Sequence, residues 1–319
     1  MPAYNERMTT LISGYQFSLL GGLALMRQRL MASARKLNLK GTVLIAPEGI
    51  NLSLGGSEES LESFLACLEN DYGLDALILH RQTVETVPFL RLKVRIRPEI
   101  IAFEPELDPG RVQTGDALAP EDWHRLLTED GVQLVDTRND YEYRIGSFKG
   151  AENPGIDRFT EFAEWARDHL DPSRPVAMFC TGGVRCEKAS ARLLADGFSS
   201  VYHLRGGILA YLQRYGDQPS HWDGECFVFD DRVSVDASLR PSARPVCAGC
   251  RQPHDALPED GMPPVAADSN CQLCDRHFDT ARLAGIRERV RQIALARRRG
   301  SSHLGPQHAS GTTEEVSEA

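Results

Sequence analysis

The hydrophobic and polar positions of this chain change period several times, and each change marks an element. Residues 11–17 pattern as a strand, and over 20–37 Leu23, Met26, Leu30 and Leu37 recur at helical spacing. Residues 41–46 form a second apolar run, which 51–54 continue after Glu48-Gly49 as a hairpin or a bulged strand. Over 60–68, Leu61, Phe64, Leu65 and Leu68 fall on one helical face, and 77–79 and 90–96 supply two further strands. This order is close to βαββαβ, the split arrangement of a ferredoxin-like, acylphosphatase-like α+β domain over residues 1–100. Residues 101–118, rich in Pro, Gly and acids, read as a linker. From 119 to 222, strands at 132–136, 176–179 and 201–204 alternate with helices at 159–169, 186–195 and from Gly206 through Arg214. Such alternation predicts a mostly parallel α/β sheet that binds ligands beyond the carboxyl ends of its strands.

The candidate chemistry lies where the 176–179 strand ends. The sequence there is Cys180-Thr181-Gly182-Gly183-Val184-Arg185-Cys186, so a thiol sits at a strand terminus, followed by two glycines and a helix. Adjacent glycines let the backbone curl so that its N–H groups point inward, and the helix adds the positive end of its dipole. Arg185 brings a full charge, and the loop suits a thiolate, a persulfide or an oxyanion. A phosphatase loop places its Arg six residues after the Cys; here that position is Cys186, and the shorter loop suits a smaller guest than phosphate. A buried structural thiol needs neither the Gly-Gly turn nor the Arg.

Two further patterns carry chemistry. Arg91, Lys93, Arg95 and Arg97 alternate with Leu90, Leu92, Val94 and Ile96, which predicts one core face and one cationic face, suited either to an RNA backbone or to solvent with pairing to nearby acids. Within residues 223–280, Cys247, Cys250, Cys271 and Cys274 form a C-x2-C-x20-C-x2-C array that matches a structural zinc ribbon, with a redox or unmetallated knuckle as the alternative. Four sulfurs would close that metal's coordination sphere. Residues 281–300 read as a basic helix with Leu283, Ile286, Val290 and Ile293 on one face, and 301–319 read as a disordered tail.

Composition narrows the reading. The chain has 319 residues, enough for two domains and a small module, and a formal net charge of −9, so nucleic-acid binding must rest on local patches. No apolar run approaches a membrane span, and no signal-peptide pattern precedes Tyr15, so a cytoplasmic protein is expected. Its eight cysteines then read as reduced thiols, used for metal or chemistry.

The 136–151 run DTRNDYEYRIGSFKGA and the cysteine loop MFCTGGVRCEKA together resemble a rhodanese domain. With KGTVLIAPEGIN (40–51), PFLRLKVR (88–95), VYHLRGGIL (201–209) and GECFVFDDRV (224–233), the chain resembles the rhodanese-containing family of oxygen-dependent tRNA uridine hydroxylases over roughly residues 11–275. That resemblance implies an oxidoreductase that hydroxylates carbon 5 of the wobble uridine of certain tRNAs. It implies molecular oxygen as co-substrate and tRNA as the partner; the residues themselves show neither a Rossmann glycine run nor a two-His-one-carboxylate site, so no organic cofactor is evident, and neither DNA nor a membrane is expected as a partner. The resemblance places the essential thiol at Cys180, cradled by Thr181, Gly182, Gly183, Val184 and Arg185, and makes Arg91 and Lys93 part of a tRNA surface. Leu52-Ser53 departs from the Gly-Thr expected after EGIN, which puts a local turn in question. A sulfurtransferase moving sulfur from thiosulfate or a persulfide is the alternative that the loop chemistry alone supports. The oligomeric state is left open by the sequence.

Overall fold

The computed structural model describes residues 9–216, 218, 220–242, 244–247, 252–254 and 277–299, and the chain divides into two compact units after residue 243. The first unit begins with a five-stranded sheet. Its elements are β1 (Thr9–Phe17), α1 (Leu23–Lys36), β2 (Lys40–Ala46), β3 (Gly49–Gly56), α2 (Glu58–Tyr72), β4 (Ile78–Val84) and β5 (Leu92–Ile96). The strands lie in the order β4-β1-β3-β2-β5. The first four are the ferredoxin-like βαββαβ arrangement, and β5 adds to the edge parallel to β2. Residues 41–46 and 51–54 are the arms of a hairpin, closed tightly enough that Ala46 pairs with Gly49. Helix α2 starts at an N-cap, Ser57, whose hydroxyl accepts from Ser60 N–H, and ends at Gly73 in the left-handed conformation.

One face of this sheet packs on the two helices. Ile12, Val43, Ile50, Leu52, Leu54 and Val94 meet Met26, Leu30, Phe64 and Leu68 in a continuous core. Leu52 and Ser53 therefore lie in the middle of β3, not in a turn: Leu52 is a core residue and Ser53 pairs with Ser13 and Thr42. The expectation for the cationic strand needs correction. Its regular part is Leu92–Ile96, so Arg91 precedes it, and Leu90 and Ile96 are exposed and not in the core. An edge strand has a neighbour on one side only, and here only its centre, Val94, is fully covered.

The second half of this unit carries β6 (Asp116–Leu118), α3 (Pro120–Leu126), β7 (Gln133–Asp136), α4 (Asp140–Tyr143), β8 (Gly146–Phe148), α5 (Phe162–His169), β9 (Val176–Phe179), α6 (Val184–Ala195), β10 (Val201–Leu204) and α7 (Gly207–Tyr215). Strands β6-β10-β9-β7 form a parallel sheet with β9 buried along its whole length. The expected linker, 101–118, is part of this structure. Phe103 and Leu107 are buried in the core, Phe103 stacks on Phe159 at 4.5 Å, and β6 is a strand of the sheet. The expected boundary at 223 also moves. Strands β11 (Trp222–Gly224), β12 (Cys226–Phe227) and β13 (Ser234–Val235) follow, and Trp222, Cys226, Val228 and Val235 complete the core around Phe148 and Phe179. These strands are too short to show a period in sequence.

In the second unit, Cys247 is buried and helix α8 (Thr280–Arg298) buries Leu283 and Ile286. Val290 is half-buried, and the side chain of Ile293 lies outside the described residues. Arg291 pairs with Glu288 at 2.9 Å, one turn away on an exposed face. Cys250, Cys271, Cys274 and the tail lie outside the described residues. Among the described residues, no helix is long and apolar enough to cross a membrane.

Candidate active site

Cys180 follows the last residue of β9 at the carboxyl edge of the parallel sheet and is buried. Helix α6 begins at Val184, two residues earlier than its apolar pattern suggests, and so its first turn faces the thiol. Gly183 N–H donates to Cys180 Sγ at 3.1 Å, and the backbone N–H groups of Arg185 and Cys186 also reach it. Gly183 makes this turn with φ of 100°, where a side chain would also meet the Tyr15 hydroxyl at 2.9 Å. From behind, the first N–H groups of α7 hold the loop: Ile208 donates to the carbonyl of Cys180 and Leu209 to that of Thr181. That contact requires Gly207, because a Cβ there would lie 2.4 Å from the Cys180 carbonyl oxygen.

Burial by itself raises the pKa of Cys180. A hydrogen bond from the Cys186 thiol, the Arg185 charge and the loop N–H groups outweigh it and bring the thiol down to about 6. Cys186 moves the other way, well above an ordinary thiol, because it is buried and donates to its neighbour. The loop N–H groups and the Arg185 charge thus favour the thiolate at Cys180 over Cys186.

Arg185 is not free to swing. Its guanidinium makes a two-pronged ion pair with Glu142 at 2.7 and 2.8 Å, and Glu142 is completely buried. The partner charge holds Glu142 below the usual carboxylate range despite burial. Glu142 escaped the sequence reading, although a signal exists: Asn139-Asp140-Tyr141-Glu142 is a capping box, and Asn139 N–H donates to Glu142 Oε2 at 3.2 Å. A second buried pair, Arg138–Asp136 at 2.6 Å, lies under the loop, and Thr137 Oγ1 bonds the Phe179 carbonyl and contacts Cys186.

The thiol opens on a cavity of about 680 Å³, within the range of small-molecule sites. Cys180, Thr181, Gly182 and Arg185 form one wall. The other comes from the sheet face of the ferredoxin-like domain that its helices leave uncovered: Ser13, Tyr15, Thr42, Leu44, Asn51 and Ser53. Lys93 pairs in register with Thr42 and Arg95 with Leu44, so the cationic strand continues the same sheet face. None of Arg91, Lys93, Arg95 and Arg97 lines the cavity itself.

Two interactions fix the domains against each other beside the loop. Tyr15 hydroxyl donates to Glu187 at 2.9 Å, and fully buried Lys188 bridges Glu48 and Glu99 at 2.7 and 2.6 Å. Tyr15, Asn51, His80, Phe89 and Phe229 at the cavity were missed in sequence, because only the packing of two domains brings them to the thiol.

Residues 9–100 match the UPF0176 acylphosphatase-like domain, and residues 119–214 match the rhodanese-like domain. The chain has the architecture of the UPF0176 family. Among solved structures, a rhodanese-like domain from Anabaena sp. is 22% identical, covering 34% of this chain and 78% of its own, with a TM-score of 0.29. A rhodanese-like domain protein from Staphylococcus aureus is 26% identical over 30% of this chain and 90% of its own, with a TM-score of 0.25. An acylphosphatase from Coxiella burnetii is 16% identical over 30% of this chain and all of its own, with a TM-score of 0.23. In this UPF0176-type chain the rhodanese loop has an intact cysteine. Among the described residues there is no cluster of three or more His, Cys, Asp or Glu fit to hold a metal.

Proposed function

We propose that this protein hydroxylates carbon 5 of the wobble uridine of certain tRNAs with molecular oxygen, and that Cys180 is its essential thiol. The observation that carries this reading is a thiol ringed by backbone N–H groups in a cavity walled by two domains, one of which continues the same sheet face into cations that have no ion pair among the described residues. Exposed cations along an edge strand suit phosphates, and the cavity suits a single base taken out of its stack. Addition of the thiolate to carbon 6 of uracil makes carbon 5 electron-rich enough to meet oxygen. Loss of the carbon-5 proton and expulsion of the thiolate then restore the ring. One oxygen atom enters the base and the other leaves as water, so two electrons and two protons come from a reductant outside the chain.

The test is mass spectrometry of tRNA nucleosides from a strain lacking the gene, complemented with wild-type protein or with Cys180→Ala. The expected result is that 5-hydroxyuridine and its derivatives return only with Cys180. Unchanged levels in every strain would remove the proposal.

A specific observation also favours sulfur transfer: the N–H groups that surround Cys180 Sγ would hold a terminal persulfide sulfur equally well. Thiocyanate formed from thiosulfate and cyanide at a useful rate would identify that activity. For Cys247, Cys250, Cys271 and Cys274 we propose structural zinc, with one zinc per chain expected by elemental analysis of protein purified without chelator.

A further inference from the structure

The hairpin turn after β12 places an aromatic ring in water. Phe229 is 67% exposed, yet it is held in place from below. Its ring packs edge-on against Phe227 at 5.0 Å, and Phe227 packs edge-on against Tyr141 at 5.2 Å. The turn is closed by Val228 N–H to the Val233 carbonyl and by an Arg232–Asp230 ion pair at 2.6 Å. Asp231 N–H donates to the Pro88 carbonyl, which seats the turn beside Phe89 of the other domain. Both Phe229 and Phe89 line the cavity, and the Arg185 guanidinium lies 5.9 Å from the Phe229 ring. A ring so exposed and so firmly supported is a platform.

A second feature of the same cavity says what the platform receives. Arg158 lines it, is exposed, and has no ion pair among the described residues, while its own N–H is held by Glu161. A flat stacking face and a cation with no ion pair among the described residues, around one cavity, match a nucleotide, with base and phosphate each provided for. An aliphatic ligand would use neither the ring face nor the cation.

We infer that Phe229 and Arg158 form a nucleotide clamp for single-stranded RNA, in which Phe229 stacks on the base carried to Cys180 and Arg158 meets a flanking phosphate. This rests on the RNA reading above and makes Phe229 a positioning residue for it.

The experiment follows alkylation of Cys180 by iodoacetamide in the full-length protein while hexauridylate, or an abasic ribose-phosphate hexamer, is titrated in. The readout within each variant is the concentration that halves the rate. Hexauridylate is expected to protect the wild-type thiol about tenfold better than the abasic hexamer, as stacking of one base on an aromatic ring allows. Phe229→Ala should remove that advantage and Phe229→Trp restore it. Arg158→Ala should weaken both oligomers alike and lower the log–log salt slope by about 0.7, the share of one phosphate on a single strand.

Equal protection of wild type and Phe229→Ala would overturn the clamp. So would equal weakening of both oligomers by Phe229→Ala, since that is what a merely structural role gives. An unprotected wild-type thiol rejects the clamp whatever the nucleoside assay returns. Base-dependent protection with unchanged 5-hydroxyuridine in cells leaves the clamp standing and removes the hydroxylase reading alone.

Discussion

Arg138, Arg185 and Lys188 are buried, and each meets carboxylates at 2.6–2.7 Å; Arg91, Arg95 and Arg97 lie exposed at the sheet edge with no ion pair among the described residues. The first group supports the cysteine loop and its surroundings, where an unpaired charge would be prohibitively costly. The second keeps its hydration and is free to exchange small counterions for a polyanion. Position therefore decides what a cation does here: under the loop it fixes geometry, and on the edge strand it is available to a partner. A net charge of −9 hides both arrangements.

The sharpest contrast comes from the thiol that the buried group serves. Cys180→Ser should reduce hydroxylation to background, measured as 5-hydroxyuridine per tRNA, while the protein stays folded by circular dichroism. Next in size is Glu142→Gln, which leaves Arg185 buried without its counter-charge. It should cost about 3–5 kcal/mol in urea unfolding, whereas Arg95→Ala should stay within about 0.5 kcal/mol. Similar values for the two would break the distinction drawn here.

A pH profile tests how the buried charge acts on the thiol. The thiolate is the reactive form, so alkylation should be slow below pH 6, half-maximal near 6 and flat above it. Removing the charge in Arg185→Gln should move the midpoint upward, toward that of an ordinary thiol. The smallest effect belongs to the edge. Arg95→Ala combined with Arg97→Ala should raise the KM for tRNA a few-fold and lower the salt slope of binding by about 1.4. An unchanged slope would leave these residues as a merely solvated face.

The cysteine loop was legible in sequence because its determinants are contiguous: an apolar strand, two glycines and a helix within a dozen residues. The ferredoxin-like domain was legible through the periods of Leu23–Leu30 and Leu61–Leu68. Leu90 and Ile96 misled because alternation tells which residues share a face, not whether anything covers that face; on an edge strand it does not. Trp222, Cys226 and Val235 belong to the rhodanese-like core through strands of two or three residues, too short to register as pattern. Glu142, in a polar run resembling a surface turn, becomes a buried counter-ion only when folding brings Arg185 to it, 43 positions later. The cavity is tertiary throughout, since no local signal joins Tyr15 or Phe229 to Cys180.

Lys188, wedged between Glu48 and Glu99, bears on how such a chain can change over generations. Its three charges are contributed by two domains, so neither can be exchanged for a foreign counterpart without stranding an ion in the seam. A change at one of these positions alone leaves a buried charge uncompensated. A rhodanese-like domain cut from this gene and fused elsewhere would arrive carrying a lysine adapted to a neighbour it no longer has.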